Sequence, residues 1–322
     1  MGKARIGFVG CVKEGRECLE ELIDAGGNVV GVFTFTDEMA RKTSGAVDFE
    51  KLANQHDTPL FKINNTNTPE TAELIKSVRP DVVFVIGWTR LVSAEILSVP
   101  KLGCIGMHAS MLPKYRGRAP VNWAIINGET KTANTMILLD DGVDTGDILL
   151  QKPIDINFSD TCYTVYEKVA SAGREMISEI LSSIDSGCLS GEKQDDNLAS
   201  LMPKRTPADG LIDWHKTSMK IYNWVRAQTH PYPGAFTYWN HKKIQIWGAH
   251  PQHYSAPGMD EQTQYCYEPG EVVSVSDGIT VATGTNELLT IRQLNFENEP
   301  ELNWRDFLSQ HSLFKGQKFE GK

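Results

Sequence analysis

Residues 5–35, RIGFVGCVKEGRECLEELIDAGGNVVGVFTF, decide the fold. The apolar run 5–10 is a short strand, residues 16–25 place their apolar side chains at helical spacing, and 28–35 is a second strand rich in Val and Phe. Strand, helix and strand in this order make a βαβ opening. Gly7, Gly10 and Gly15 do not space as GxGxxG, and no acidic residue is clearly placed for a ribose, so the opening is not read as a dinucleotide site.

Working outward, helices are predicted over 49–56 and 69–78. Residues 81–87, DVVFVIG, form a continuous apolar run that suits a parallel strand buried on both faces. Further strands are predicted at 102–107, 135–139 and 147–152, and a long amphipathic helix at 161–182 is expected to close one face of the sheet. The polar segment 36–47 reads as a mobile loop. The pattern is α/β, a Rossmann-like domain with a mostly parallel sheet over residues 1–203. After Gly191 the composition turns polar, and PKRTP at 203–207 reads as a tether to a second domain, 204–322. There a helix over 218–227 and the rigid turn HPYPG at 230–234 precede short strands at 235–239, 243–247, 270–275, 279–283 and 288–294, the pattern of a small barrel or sandwich. Residues 254–268 read as a loop, and 307–322 as a short terminal helix with a charged tail.

Composition bounds the function. A chain of 322 residues with 40% hydrophobic and 23% charged residues is an ordinary globular chain of about two domains. No apolar run reaches the eighteen or so residues of a membrane span, and MGKARIGFVG enters a strand without a signal-peptide pattern, so a cytoplasmic protein with no membrane partner is expected. Cys11, Cys18, Cys104, Cys162, Cys188 and Cys266 show neither CxxC nor Cys/His ligand spacing; reduced thiols and no metal are expected. A net charge of −9 argues against binding a nucleic-acid backbone, while leaving room for a local basic pocket that takes one small anion.

Chemistry concentrates in residues 104–123, CIGMHASMLPKYRGRAPVNW. His108 follows an apolar strand and precedes Pro113, Gly117 and Pro120, so it leaves the sheet where ligands of open α/β folds bind. A surface-loop histidine would share this spacing. Asp144 sits in the Gly-flanked turn GVDTG, where Asp is also common for turn chemistry alone.

His108, Ser110, Leu112-Pro113 and Arg116-Gly117, followed by Gly142-Val143-Asp144-Thr145-Gly146, resemble the paired signatures of formyltransferases that use 10-formyltetrahydrofolate. Within that group LPKYRGRAPVNW, with a second patch from Arg205-Thr206-Pro207 to Phe236, is most similar to enzymes that formylate nucleotide-linked amino sugars, such as UDP-4-amino-arabinose. The resemblance implies an OB-like second domain and a donor pocket lined by Trp88, Arg90, Leu91, Val92, Asp140, Asp141 and Gly142, although Trp88 to Val92 would equally make an ordinary packing loop. Formyl transfer to an amine develops an oxyanion, and His108 can donate to it while Asp144 orients the ring. For a UDP- or dTDP-linked amino sugar, Ser110, Lys114, Tyr115, Arg116, Arg118, Asn122, Arg205, Arg226 and Tyr232 are the candidate contacts, with Arg205 and Arg226 on the diphosphate. Any single Arg among them would also suit a surface salt bridge, and a homodimer is left open.

Gly106 breaks the family pattern, which places an Asn there. The amide donor is missing, so the expected reaction stands beside three alternatives: methionyl-tRNA formyltransfer, formyltetrahydrofolate hydrolysis or altered acyl transfer, and a binding protein without catalysis. The acidic 36–47 insertion speaks against tRNA. If formyl transfer is native, Gly106→Asn is expected to hold or raise the rate; if Gly106 makes room for a larger group, it is expected to slow it.

Overall fold

The computed structural model describes residues 2–43, 45–252 and 267–322. The predicted loop at 254–268 therefore lies outside the described residues up to 266, as does Cys266.

The described residues form two compact units. The first comprises Met1–Pro120, Lys131–Asp155 and Val165–Pro203; the second comprises Val121–Thr130, Ile156–Thr164 and Lys204–Lys322. In chain order the elements up to the first crossover are β1 (Arg5–Val9), α1 (Lys13–Asp24), β2 (Asn28–Phe35), α2 (Asp37–Arg41), α3 (Glu50–Gln55), β3 (Leu60–Ile63), α4 (Pro69–Ser77), β4 (Val82–Val85) and α5 (Ala94–Leu97). They are followed by β5 (Cys104–His108), β6 (Arg116–Gly117), α6 (Pro120–Ile126), β7 (Lys131–Leu138), β8 (Ile148–Asp155), α7 (Cys162–Ser186) and β9 (Leu201–Met202).

Seven strands make the main sheet in the order β3-β2-β1-β4-β5-β7-β8. The first five run parallel and the last two antiparallel. Alternation along each parallel strand feeds two cores. Ile6, Phe8, Val82, Phe84 and Ile105 pack with Leu19 and Leu22 of α1 and with Met176, Ile177 and Ile180 of α7. Val9, Phe33, Val83 and Val85 pack on the other face with Ala72 and Ile75 of α4 and Ile96 of α5. Each such side chain contributes about 1.5–3 kcal/mol by leaving water, which is why DVVFVIG shows no polar alternation. Local chemistry sets the helix ends: Thr68 accepts from the Thr71 amide at 3.2 Å and Pro69 opens α4. The expected mobile loop at 36–47 instead contains α2, which carries an i,i+4 pair, Lys42–Glu38 at 2.7 Å, and is linked to β3 by Lys62–Asp37 at 2.8 Å.

In the second unit α8 (Ser218–Arg226) precedes β10 (Ala235–Trp239), β11 (Lys242–Gln252), β12 (Val272–Ser274), β13 (Ile279–Ala282), β14 (Leu288–Phe296), β15 (Leu302–Asn303) and α9 (Trp304–Gln310). The strands form an antiparallel half-barrel sheet, β10-β11-β14-β13-β12 with β15 on β14, around Trp214, Ile246, Val281, Leu289, Ile291 and Phe307. α9 begins at Trp304 and not at 307 as the sequence suggests, because the Asn303 side chain accepts from the Arg305 and Asp306 amides and starts the helix there.

Candidate active site

β5 lies inside the sheet between β4 and β7, and His108 is its last residue. The strand holds the backbone while residues beyond it turn away, so the imidazole emerges at the carboxyl edge of the sheet and is 8% exposed. Its Nε2 lies 2.7 Å from the Tyr115 carbonyl oxygen and its Nδ1 lies 3.5 Å from Asp144 Oδ2. A carbonyl only accepts, so Nε2 carries a hydrogen in this arrangement, and the carboxylate faces the other nitrogen. Asp144 is fixed in turn: its backbone is left-handed at φ 54°, and its Oδ2 accepts from the Gly117 amide at 2.8 Å. The turn closes tightly enough that a Cβ on Gly146 would fall 1.8 Å from the Leu138 carbonyl oxygen, so only glycine fits there.

Beside Asp144 a cavity of about 310 Å3 opens along the ends of β4 and β5. Trp88, Arg90, Leu91, Val92, Asp140, Asp141 and Gly142 all line it, together with Gly106, Ile137 and Leu139. Arg90 lies over the Phe35 ring at 5.2 Å and donates to the Asn64 carbonyl, so it is already engaged. The Trp88 indole N–H is buried with no partner, and a cleft that mixes apolar walls with the carboxylates of Asp140, Asp141 and Asp144 suits a flat heteroaromatic ligand that carries N–H groups. These residues fit a pterin ring.

Gly106 does not leave empty space. A Cβ built there lies 2.6 Å from Leu139 Cδ2 and 3.1 Å from its Cγ. The room that an Asn or a larger acyl group would need is occupied by Leu139, whose part in the site no sequence pattern signals.

The remaining candidates divide. Lys114 and Arg118 are exposed and Tyr115 is half-buried. Ser110 is fully buried, donating to the Lys114 carbonyl at 2.7 Å while its own carbonyl accepts from Thr135 at 2.6 Å, so it shapes the loop. Arg116 is buried and spends its guanidinium on Gln194, at 3.1 and 2.9 Å, and on Asp196 at 2.8 Å.

In the second unit the two Arg residues expected on a diphosphate are committed elsewhere. Arg226 is 7% exposed and donates to the carbonyls of Asn157 and Asp160 and to Asn223 Oδ1, at 3.1, 2.6 and 2.9 Å. Arg205 lies between the Trp123 and Trp224 rings, 5.0 and 4.5 Å from their centroids, and donates to Gln228 at 2.7 Å. Asn122 is buried and donates to the Ala227 carbonyl; Tyr232 is half-buried in the rigid turn. These side chains hold the fold of their own unit.

Residues 5–181 match the model of the formyl transferase family, and residues 204–312 match its C-terminal domain. The chain belongs to the formyltransferase family. It is therefore an N-formyltransferase, and the family's formyl donor is 10-formyltetrahydrofolate. This formyltransferase is 34% identical over 316 residues to a methionyl-tRNA formyltransferase of Ruminiclostridium cellulolyticum, covering 98% of this chain and 99% of that one. It is 36% identical over 315 residues to the methionyl-tRNA formyltransferase of Citrifermentans bemidjiense, covering 97% and 95%. Among solved structures, an N-formyltransferase from Helicobacter canadensis in complex with folinic acid and dTDP-3-aminofucose superposes with a TM-score of 0.65 at 20% identity, over 89% of this chain and 98% of that one. At that identity the likeness is one of fold.

These findings overturn the amino-sugar reading and the nucleotide-sugar partner, because the full-length relatives carry the name of the tRNA enzyme. The charge argument against nucleic acid fails for a physical reason. Residues 204–322 hold twelve Lys and Arg against thirteen Asp and Glu, so the chain's −9 resides almost wholly in residues 1–203. Lys204, Lys220, Lys242, Lys315 and Lys322 form no ion pair among the described residues. The insertion at 36–47 is not a repelling acidic loop either, since Lys62 sits 2.8 Å from Asp37 and 3.0 Å from Glu50.

Proposed function

We propose that this formyltransferase moves the formyl group of 10-formyltetrahydrofolate to the amine of methionine carried on tRNA. The observation that carries the reading is the end-to-end match, at 31–36% identity, to proteins named methionyl-tRNA formyltransferase. The site supports the chemistry. The cavity beside Asp144 holds the donor's ring between Trp88, Leu139 and the 140–142 turn. His108 holds its Nε2–H on the Tyr115 carbonyl and faces Nδ1 to Asp144, so it donates to the formyl carbonyl oxygen, as charge develops there, by giving up the Tyr115 contact. Asp144, 3.5 Å from that ring, orients it, and its carboxylate takes up the proton that the attacking amine sheds. The test is direct: purified enzyme, 10-formyltetrahydrofolate and methionyl-tRNA should give formylmethionyl-tRNA, with the product absent when His108→Ala replaces the wild type. No product with the wild-type enzyme contradicts the assignment.

A further inference from the structure

Gln194 lies in the polar segment that follows α7, far in sequence from both functional loops, yet all four hydrogen-bonding positions of its amide are used on them. Nε2 donates to the Asp144 carbonyl at 2.8 Å and to the Gly146 carbonyl at 2.7 Å. Oε1 accepts from Arg116 Nε and Nη2 at 3.1 and 2.9 Å. Arg116 directly follows Tyr115, whose carbonyl accepts from His108. One side chain thus bridges the turn that supplies one neighbour of the imidazole to the loop that supplies the other.

The segment around it is anchored at both ends. Glu192 exchanges two backbone hydrogen bonds with Ile148, each 2.8 Å, just past the Asp144 turn. At the other end Ser200 Oγ accepts from the Tyr115 amide at 2.9 Å, Ser200 O accepts from the Arg116 amide at 2.8 Å, and β9 pairs with β6. Asp144 itself has a left-handed backbone that L residues rarely adopt. A turn of that kind keeps its shape only when its surroundings over-determine it, and Gln194 holds its carbonyl in place.

We propose that Gln194 is a positioning residue for formyl transfer: through its amide it fixes the Asp144 turn against the His108 loop. The proposal rests on the reading of His108 and Asp144 as the reacting pair. Gln194 does not line the cavity beside Asp144, so its loss moves Asp144 relative to His108 without emptying that cavity. A misplacement on the order of 1 Å costs about a hundredfold in rate.

The test compares Gln194→Ala and Gln194→Glu with Asp144→Asn, His108→Ala and the Gln194/Asp144 double variants, in the full chain with both substrates. Gln194→Glu keeps the acceptor for Arg116 and the side-chain volume while losing both N–H donors, so it carries the test should Gln194→Ala fold poorly. Expected is a fall in kcat of roughly 10- to 100-fold with both KM values little changed. In the Asp144→Asn background, changing Gln194 should cost nothing further, because the two act as a unit. An unchanged kcat in Gln194→Glu overturns the proposal, as does a raised KM at intact kcat or a loss that adds fully to that of Asp144→Asn. Full activity in His108→Ala and Asp144→Asn would instead overturn the reacting pair, a result separable from the first.

Discussion

Replacing Gly106 by Asn supplies the amide that the family resemblance leads one to expect there, but meets Leu139. The new Cβ would lie 2.6 Å from Leu139 Cδ2 and 3.3 Å from Cδ1, where ordinary contacts run to roughly 3.5–4.0 Å. Leu139 must therefore turn or withdraw by about an ångström, away from the cluster of Val83, Val85 and Ile96 that it packs against. Leu139 Cδ2 is the far end of a half-buried side chain beside the cavity, so the cost lies at the low end of overpacking, about 1 kcal/mol, or about 2–4 °C in Tm for a domain of 150–250 residues. A reading of the sequence alone favours an unchanged or faster variant; Leu139 reverses that sign. Gly106→Asn should be less stable and slower, measured by thermal denaturation and by initial rates of tetrahydrofolate release. Gly106→Asn combined with Leu139→Ala should be more stable and faster than the sum of the single effects, since the second change frees the space that the amide needs. The gain is bounded by the hundred- to thousandfold worth of about one oxyanion donor. A single Gly106→Asn variant with raised turnover and unchanged Tm would refute the argument.

His108→Ala and Asp144→Asn should each reduce kcat by several orders of magnitude, whereas Asp144→Ala should lower Tm as well, since the Gly117 amide loses its acceptor and Ala is strained at φ 54°; the His108→Ala/Asp144→Asn double variant should be little worse than the poorer single one, because the pair acts together, and additive losses would count against a shared task. Arg226→Ala should lower Tm and not act selectively on KM, since the carbonyls of Asn157 and Asp160 lose their donor and each buried orphan costs about 1–3 kcal/mol; an unchanged Tm would contradict its structural role. Burial, offset in part by the Asn134 amide and reinforced by Glu17, pushes the Glu14 carboxyl up to about 7. The folded protein thus keeps a proton that the unfolded chain releases near pH 4.5, so stability falls as pH rises from about 4.5 to 7, by about 3 kcal/mol in all. Glu14→Gln should flatten that slope, and a Tm difference between pH 5 and pH 8 equal to the wild type's would contradict it.

The sheet was legible because burial on both faces writes unbroken apolar runs: residues 81–87 are β4 and its flanks, and 5–10 and 28–35 are β1 and β2. The residues that line the cavity beside Asp144 are singled out only through motif resemblance, since neither Trp88 nor the 140–142 turn has a spacing that spells a pocket. What stayed hidden lies in contacts between distant segments. Arg205 and Arg226 look alike in sequence whether they wait for a diphosphate or cap carbonyls, and only their neighbours Trp224 and Asp160 decide it. Gln194 stands in a polar run with nothing to mark it, because a bridging amide has no periodicity. The acceptor was misread for a related reason. Net charge averages over two units whose acidity differs, and the overall −9 says nothing about where a phosphate backbone would lie.

The most direct test of the account is a side-by-side assay of the purified enzyme with 10-formyltetrahydrofolate, offering methionyl-tRNA in one set of reactions and a panel of UDP- and dTDP-linked amino sugars in the other. Tetrahydrofolate release and product mass are read in both, across a range of salt concentrations. Expected is formylmethionyl-tRNA, at a rate that falls steeply with salt at subsaturating tRNA because binding releases counterions, and no formylated sugar. Rapid formylation of a nucleotide sugar with no product on methionyl-tRNA would contradict it.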